Sequence, residues 1–255
     1  VLDTIDELRR RAEQRPLWWA GAGPNRADAQ RPAVVRLAGK TTTVALFAVF
    51  DFDLHGVARL RDPSLLGRVA AAAAEHPIVI VSVHTGVEYS EHPLAETARR
   101  LRELVDAGAD LVVGHHPHVA QGVERHGDGV IFHSLGNLSF ASRSHRHLEH
   151  GVLPLSLLAR TRFLGGVLSE VELIPIYTGN TSAWVVEGET LAATFAAPRR
   201  LFGPFAEAAF AELERRNAAI PEAPPRALRR RQGRLFLPLD GSAGTGGRGC
   251  RMIEP

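Results

Sequence analysis

Apolar residues recur at helical spacing from the start of the chain: Leu2, Ile5, Leu8 and Ala12 mark one face of an amphipathic helix. "PLWWAGAGPN" (16–25) reads as a short strand running into a glycine-rich turn. "PAVVRLAGKTTTVALFAVF" (32–50) holds two β-branched runs joined at Gly39-Lys40, the pattern of a hairpin. Asp62-Pro63 then opens a helix through the alanine run to Glu75, with aspartate as cap, proline in the first turn and Pro77 as the stop. "PIVIVSVH" (77–84) is continuously apolar, as a strand covered on both faces should be. Leu94, Ala98, Leu101 and Val105 form one helical stripe that Gly108 ends. "ADLVVG" (109–114) and "GVIFHSLGN" (129–137) predict two further buried strands. The strand-helix-strand order between residues 78 and 114 is a βαβ unit, so its strands should be parallel neighbours. Beyond it, "GGVLSEVELIPI" (165–176) alternates like a strand with one wet face, and "SAWVVEG" (182–188) is its candidate partner. Residues 198–216 read as a helix, 221–225 as a linker, and "GSAGTGGRG" (241–249) as a disordered tail.

With 255 residues the chain can build one large domain or two small ones. The net charge is only +2, so its many arginines make no broad basic field. The densest run, Arg226 to Arg234, reads as a solvated tail, and no nucleic-acid partner is expected. Cys250 is the sole cysteine, which rules out a disulfide framework. No stretch approaches the roughly 18 apolar residues of a membrane span, and no signal peptide is present. The chain opens on Val1, already inside a helical pattern, so it is expected to lack an N-terminal portion.

The candidate chemistry lies in "VVGHHPHVAQGVE" (112–124), where three histidines in four positions follow a buried strand. His84 ends the first strand of the βαβ unit and His115 to His118 follow the second. Both sets therefore belong at carboxyl strand ends, where open α/β sheets bind ligands. Pro117 disfavours a helical His116 and favours an extended one. In that geometry His116 and His118 point to one side and His115 faces away. Either cluster alone would be an ordinary hydrogen-bonded surface feature. Their convergence on one sheet edge makes His84, His116 and His118 candidate ligands for zinc, manganese, iron or nickel. Glu88, His115, Glu124, His133 and Asn137 are candidates for supporting those ligands or touching substrate. Gly136-Asn137 forms a tight turn where the backbone approaches the site. His145, His147 and His150 read as surface groups of a polar loop. Neither "GAGPN" nor "HSLGN" fits a dinucleotide fingerprint, a P-loop or a nucleophile elbow.

Three segments, "VSVHTGVEYSEHP" (81–93), "LRELVDAGADLVVGHHPHVAQGVE" (101–124) and "VIFHSLGNLSF" (130–140), resemble in order and spacing the bacterial poly-γ-glutamate capsule biosynthesis (CapA) family. "LDTIDELRR" (2–10) and "GAGPNRADAQRPAVV" (21–35) are similar to its middle section, and the resemblance fades after about residue 140. It implies an α/β fold of the metallophosphatase-like (calcineurin-like phosphoesterase) superfamily, a sandwich of two mixed β-sheets flanked by helices, incomplete at the N-terminus. Residues 1–220 would be the C-terminal part of that domain and 221–255 a linker and disordered tail. His84 matches the histidine after the family's central strand, and His116 and His118 match the pair of its Gly-His-x-His type motif. The family's aspartate-bearing strand and asparagine-histidine motif have no counterpart here. Thr85 replaces a frequent tryptophan, and Leu138 a frequent phenylalanine. The resemblance further implies a divalent transition metal, two ions in the complete protein, and hydrolysis of a capsule polymer or phosphoester. Capsule-synthesis proteins would be partners, and the location would be the bacterial envelope, outside the cytoplasm. This chain alone should bind at most one ion and turn over little. The other reading is a non-catalytic structural or assembly module that keeps the fold but not the metal centre.

Overall fold

The structure is a computed structural model that describes residues 2–52, 54–138, 146–152, 155–177, 204–224, 226–231 and 234–239. Its first sheet has the order β1-β2-β3-β4-β6-β5. Strands β2 (Thr43–Phe50), β3 (Ile78–His84), β4 (Leu111–His115) and β6 (Gly129–Phe132) run parallel at its centre. The edge strands β1 (Ala33–Arg36) and β5 (Val123–His126) pair antiparallel to β2 and β6. A second sheet, β7 (Leu155–Leu164), β8 (Val167–Tyr177), β9 (Arg229–Arg231) and β10 (Arg234–Phe236), has the order β7-β8-β10-β9. It is antiparallel throughout, where mixed pairing was expected of both sheets.

Two cores hold these layers together. Helices α3 (Leu65–Glu75) and α4 (Ala95–Asp106) cover one face of the first sheet, burying Leu65, Val69, Leu101 and Leu104 against Val79, Val81 and Val112. Leu101 and Leu104 are wholly buried, each contributing about 1.5–3 kcal/mol of hydrophobic stabilisation. On the other face, Leu111, Val130 and Phe132 meet Leu157, Val171, Leu173 and Leu235 of the second sheet. Ala209, Phe210 and Leu213 of a C-terminal helix join the same core. The expected βαβ unit is present as β3-α4-β4. Three short or early helices complete the described chain: α1 (Leu2–Gln14), α2 (Arg26–Ala29) and α5 (Arg146–Glu149). The C-terminal helix is α6 (Pro204–Ala218). Among the described residues no helix is long and apolar enough to cross a membrane.

Several expectations change in detail. "PLWWAGAGPN" makes no strand, only a single bridge from Ala22 to Val57. At Gly21 (φ +86°) the chain passes so close to β2 that a Cβ would lie 2.6 Å from the Ala48 carbonyl oxygen. Helix α3 begins at Leu65 because Asp62 accepts hydrogen bonds from the Ser64 backbone N–H (2.9 Å) and hydroxyl (2.7 Å), shaping the turn before the helix. Leu94 precedes α4 in extended conformation and is exposed, so it drops out of the apolar stripe. The arginine run beyond residue 226, expected to be tail, forms β9 and β10 on the second sheet. The expected strand at 182–188 and tail at 241–249 lie outside the described residues.

Candidate metal centre

The parallel register sets His84 directly opposite His115, and Phe50 opposite His84. Paired positions share a sheet face, so His115 does not face away as expected. Its Nδ1 lies 2.9 Å from His84 Nδ1, and its Nε2 lies 3.2 Å from Ser82 Oγ. The His84 ring stacks on Phe50 (centroids 4.6 Å apart) and lies 4.6 Å from the His116 ring. Burial, with His115, His116 and His118 nearby, holds the His84 pKa down to about 4. Burial and then His116 lower His115 as well. Both imidazoles are thus neutral at pH 7.

Beyond β4 the chain turns sharply. His116 has φ +114° and His118 φ +62°, so the segment is not the extended one that Pro117 led us to expect. The turn is imposed from outside, by the 85–92 loop packed against it. Thr85 N–H donates to the His115 carbonyl (3.0 Å) and Tyr89 N–H to the Pro117 carbonyl (2.8 Å). Tyr89 itself has φ +59°. This apposition assembles Glu88, His116 and His118, whose ligand atoms all lie within 4.8 Å of one another. His84 sits beside that group through its contact with His116, and the His116 and His118 rings are 6.1 Å apart.

His118 is aimed by its neighbours. Its Nδ1–H donates to Asn137 Oδ1 at 2.9 Å, which leaves the Nε2 lone pair directed towards Glu88 Oε1, 3.9 Å away. Asn137 is fixed in turn by a bond from its backbone N–H to Ser156 Oγ (2.9 Å). The preceding Gly136 has φ +74°, and a Cβ there would lie 2.4 Å from that same Ser156 oxygen. This close approach is to Ser156, and it is the Asn137 side chain, not the backbone of the turn, that contacts the donor group. Tyr89 stacks on His118 (5.6 Å) and on His150 (4.7 Å), and meets His147 edge-on (5.2 Å). His147, read from the sequence as a surface group, is buried and donates from Nε2 to the His118 carbonyl (3.1 Å). His145 lies outside the described residues.

Glu124 and His133 join a different network. Arg102 of α4 grips both Glu124 oxygens (2.7 and 3.1 Å), and His133 Nε2–H donates to Glu124 Oε2 (3.0 Å), all three buried. Burial lowers the His133 pKa against the pull of Glu124. Burial raises that of Glu124, but the bonds from His133 and Arg102 outweigh it and hold the carboxylate ionised. Sequence reasoning passed over Asp51. It follows β2 next to His84, accepting from the Thr85 hydroxyl (2.7 Å) and from Arg61 Nε (2.8 Å). Its position just after a strand that parallels β3 was the available signal. That bond also accounts for a threonine at position 85.

Two imidazoles and one carboxylate suit a borderline divalent cation such as zinc, manganese or iron. This is the one cluster of three or more such donors among the described residues.

A family model described as "Bacterial capsule synthesis protein PGA_cap" matches residues 1–142, which include the whole donor group. The "Capsule biosynthesis protein CapA" of Bacillus anthracis is 33% identical over 149 residues, covering 54% of this chain and 35% of that protein. The "PGA biosynthesis protein CapA" of Bacillus subtilis (strain 168) is 34% identical over 129 residues, 47% of this chain and 34% of that one. The chain spans about a third of the length of these curated relatives. The crystal structure of a hypothetical protein from Thermus thermophilus aligns with a TM-score of 0.38 and 14% identity, over 57% of this chain and 61% of that one.

Proposed function

The chain belongs to the bacterial capsule synthesis protein PGA_cap family, and from that premise we propose that it carries the metal-binding half of a hydrolase for capsule polymer or a related phosphoester. The observation that supports this reading is the convergence of Glu88, His116 and His118 at the carboxyl ends of parallel strands. These three residues would hold one divalent ion, which would supply a Lewis acid and a bound water of lowered pKa.

The remaining residues have definite tasks in this reading. Asn137 holds the proton on His118 Nδ1, so that Nε2 is the nitrogen that would ligate. With His115 Nε2–H donating to Ser82 Oγ, His115 Nδ1 accepts from His84 Nδ1–H. His84 Nε2 then carries a lone pair at pH 7, available as a further ligand or a proton acceptor. Tyr89 and His147 pack behind His118 and exclude water from that side. An envelope location and capsule-synthesis partners belong to the same proposal.

A non-catalytic assembly module is the second reading. It is favoured by the size of the donor group, a single carboxylate with two imidazoles, which suits one ion better than a bridged pair. Elemental analysis of this chain in its full-length form, with phosphate release from p-nitrophenyl phosphate in Zn²⁺ or Mn²⁺, separates the two. The hydrolase reading expects bound metal and turnover, both lost in Glu88→Ala and His118→Ala. A folded protein with neither bound metal nor turnover favours the module. A metal-free protein unaffected by the pair His84→Ala and His118→Ala refutes the metal centre in either form.

A further inference from the structure

We infer that Arg216 of α6 is a positioning residue that locks the Glu88 loop against the His116–His118 turn. The inference rests on the metal-site reading for its consequence but on packing for its substance. Arg216 is wholly buried, yet its guanidinium reaches three separate acceptors. Nη2 donates to Glu91 Oε1 (2.7 Å), three residues beyond Glu88. Nη1 donates to the Ala120 carbonyl, two residues beyond His118. Nε donates to Glu212 Oε1 (2.6 Å), one helical turn back on α6. One planar cation thus bridges the two segments that supply every donor of the candidate centre.

The bridge complements weaker ties between the same segments, Thr85 N–H to the His115 carbonyl (3.0 Å), Tyr89 N–H to the Pro117 carbonyl (2.8 Å) and Gln121 Nε2 to the Ser90 carbonyl (2.9 Å). Those join neutral groups, whereas the Arg216 contact to Glu91 is charge-assisted and made by a wholly buried guanidinium, which makes it the stiffest of them. The helix presenting it is itself anchored. Phe210 and Leu213 are buried in the core, and Asn217 Oδ1 accepts from the Val123 N–H (2.8 Å). Arg215 holds the other Glu91 oxygen, so Glu91 is fully engaged and serves as an anchor, not a metal ligand. Three acceptors at fixed angles require a forked cation, which lysine cannot mimic. Helix α6 lies beyond the family-matched residues 1–142, so a part of the chain outside the shared motif sets the geometry of the motif's own site.

The test uses the full chain with Arg216→Met, Arg216→Lys and Glu91→Gln. Amide hydrogen exchange is read over residues 86–92 and 116–121, and Zn²⁺ affinity by titration calorimetry, with circular dichroism to confirm the fold. In Arg216→Met both loops should exchange faster together, and Zn²⁺ affinity should fall about 10- to 100-fold, the usual effect of losing a residue that orients metal ligands. Arg216→Lys should recover little of it. Glu91→Gln should move both readouts in the same direction, and combining it with Arg216→Met should add little. Folded Arg216→Met with wild-type exchange in both loops overturns the inference. If that variant does not fold, Glu91→Gln with unchanged exchange overturns it instead. A wild-type chain that takes no Zn²⁺ refutes the metal centre, while the exchange measurement still decides the clamp.

Discussion

Replacing Asn137 with alanine removes one hydrogen bond and should cost about one to two orders of magnitude in metal affinity. The bond from His118 Nδ1 to Asn137 Oδ1 is 2.9 Å long and half-buried. A bond of that kind contributes about 0.5–1.5 kcal/mol net, and a released ring regains about 1 kcal/mol of rotamer freedom that binding must then remove. Together these give about 1.5–2.5 kcal/mol, or roughly 10- to 70-fold weaker binding. The fold should survive, because the backbone N–H of residue 137 still reaches Ser156 Oγ. Zn²⁺ affinity measured by competition with a chromophoric chelator, beside a thermal melt for each variant, provides the assay. Asn137→Asp keeps an acceptor in place, strengthens it, and should bind at least as tightly as wild type. The reasoning is refuted if Asn137→Ala binds Zn²⁺ within twofold of wild type, or if Asn137→Asp binds more weakly than Asn137→Ala.

Two further outcomes concern the buried groups around the site. Glu124→Ala leaves the Arg102 cation, at only 11% exposure, with the Pro221 carbonyl (2.6 Å) and the more exposed Glu222 carboxylate (3.7 Å), and should cost about 3 kcal/mol, the low end for breaking a buried pair, in denaturant titrations. The double change Arg102→Met with Glu124→Leu should be much milder, and equal losses in the two would show that charge is not the cause. Stability should also fall on acidification. His84 is held at about 4, and His115 and His133 below the ordinary 6.5, in each case chiefly by burial. Protonation therefore favours the unfolded chain: the contribution is complete above about pH 6.5 and is lost as pH falls towards 4. Melting temperatures recorded from pH 7.5 to 4.5 should drop through that window, and a flat profile contradicts the assignment of neutral imidazoles.

The parts of this fold that were legible in the sequence are those where one residue pattern admits one structure. An apolar run such as Ile78–Val83, interrupted only by Ser82, then the α4 stripe, then Leu111–Val113 leave little besides a βαβ unit. Strand β5 was missed because "VERH" alternates nothing recognisable; its Glu124 is buried only because Arg102 and His133 neutralise it. Strand β7 was missed because Arg160 and Arg162 on its wet face break up the apolar residues. The arginines of β9 and β10 looked like a tail for the same reason, since an outward sheet face and a solvated tail have similar composition. At the site, the histidine spacing was visible but the turn was not. Positive φ at His116 and His118 comes from the 85–92 loop pressing on them, a tertiary effect that no local pattern encodes. Glu88 accordingly read as a supporting residue, although its carboxylate lies within 4.8 Å of the ligand atoms of both histidines. Arg216 had no sequence signal, because it acts from roughly a hundred residues away.

The backbone at the centre has a consequence for how such a chain can change. Four described residues other than glycine hold positive φ, and three of them are at the donor group: His116 and His118 belong to it and Tyr89 follows Glu88. A side chain in that region costs of the order of 1–3 kcal/mol, and glycine relieves it. Firmness and chemistry therefore pull in opposite directions at positions 116 and 118. A lineage freed from the need for its donors would drift towards glycine there and gain a sturdier scaffold with each step. A library screened for heat resistance alone would follow the same course, returning hardy molecules stripped of the imidazoles. Histidine persisting at both positions in working members of such a lineage is thus a record of selection acting against stability.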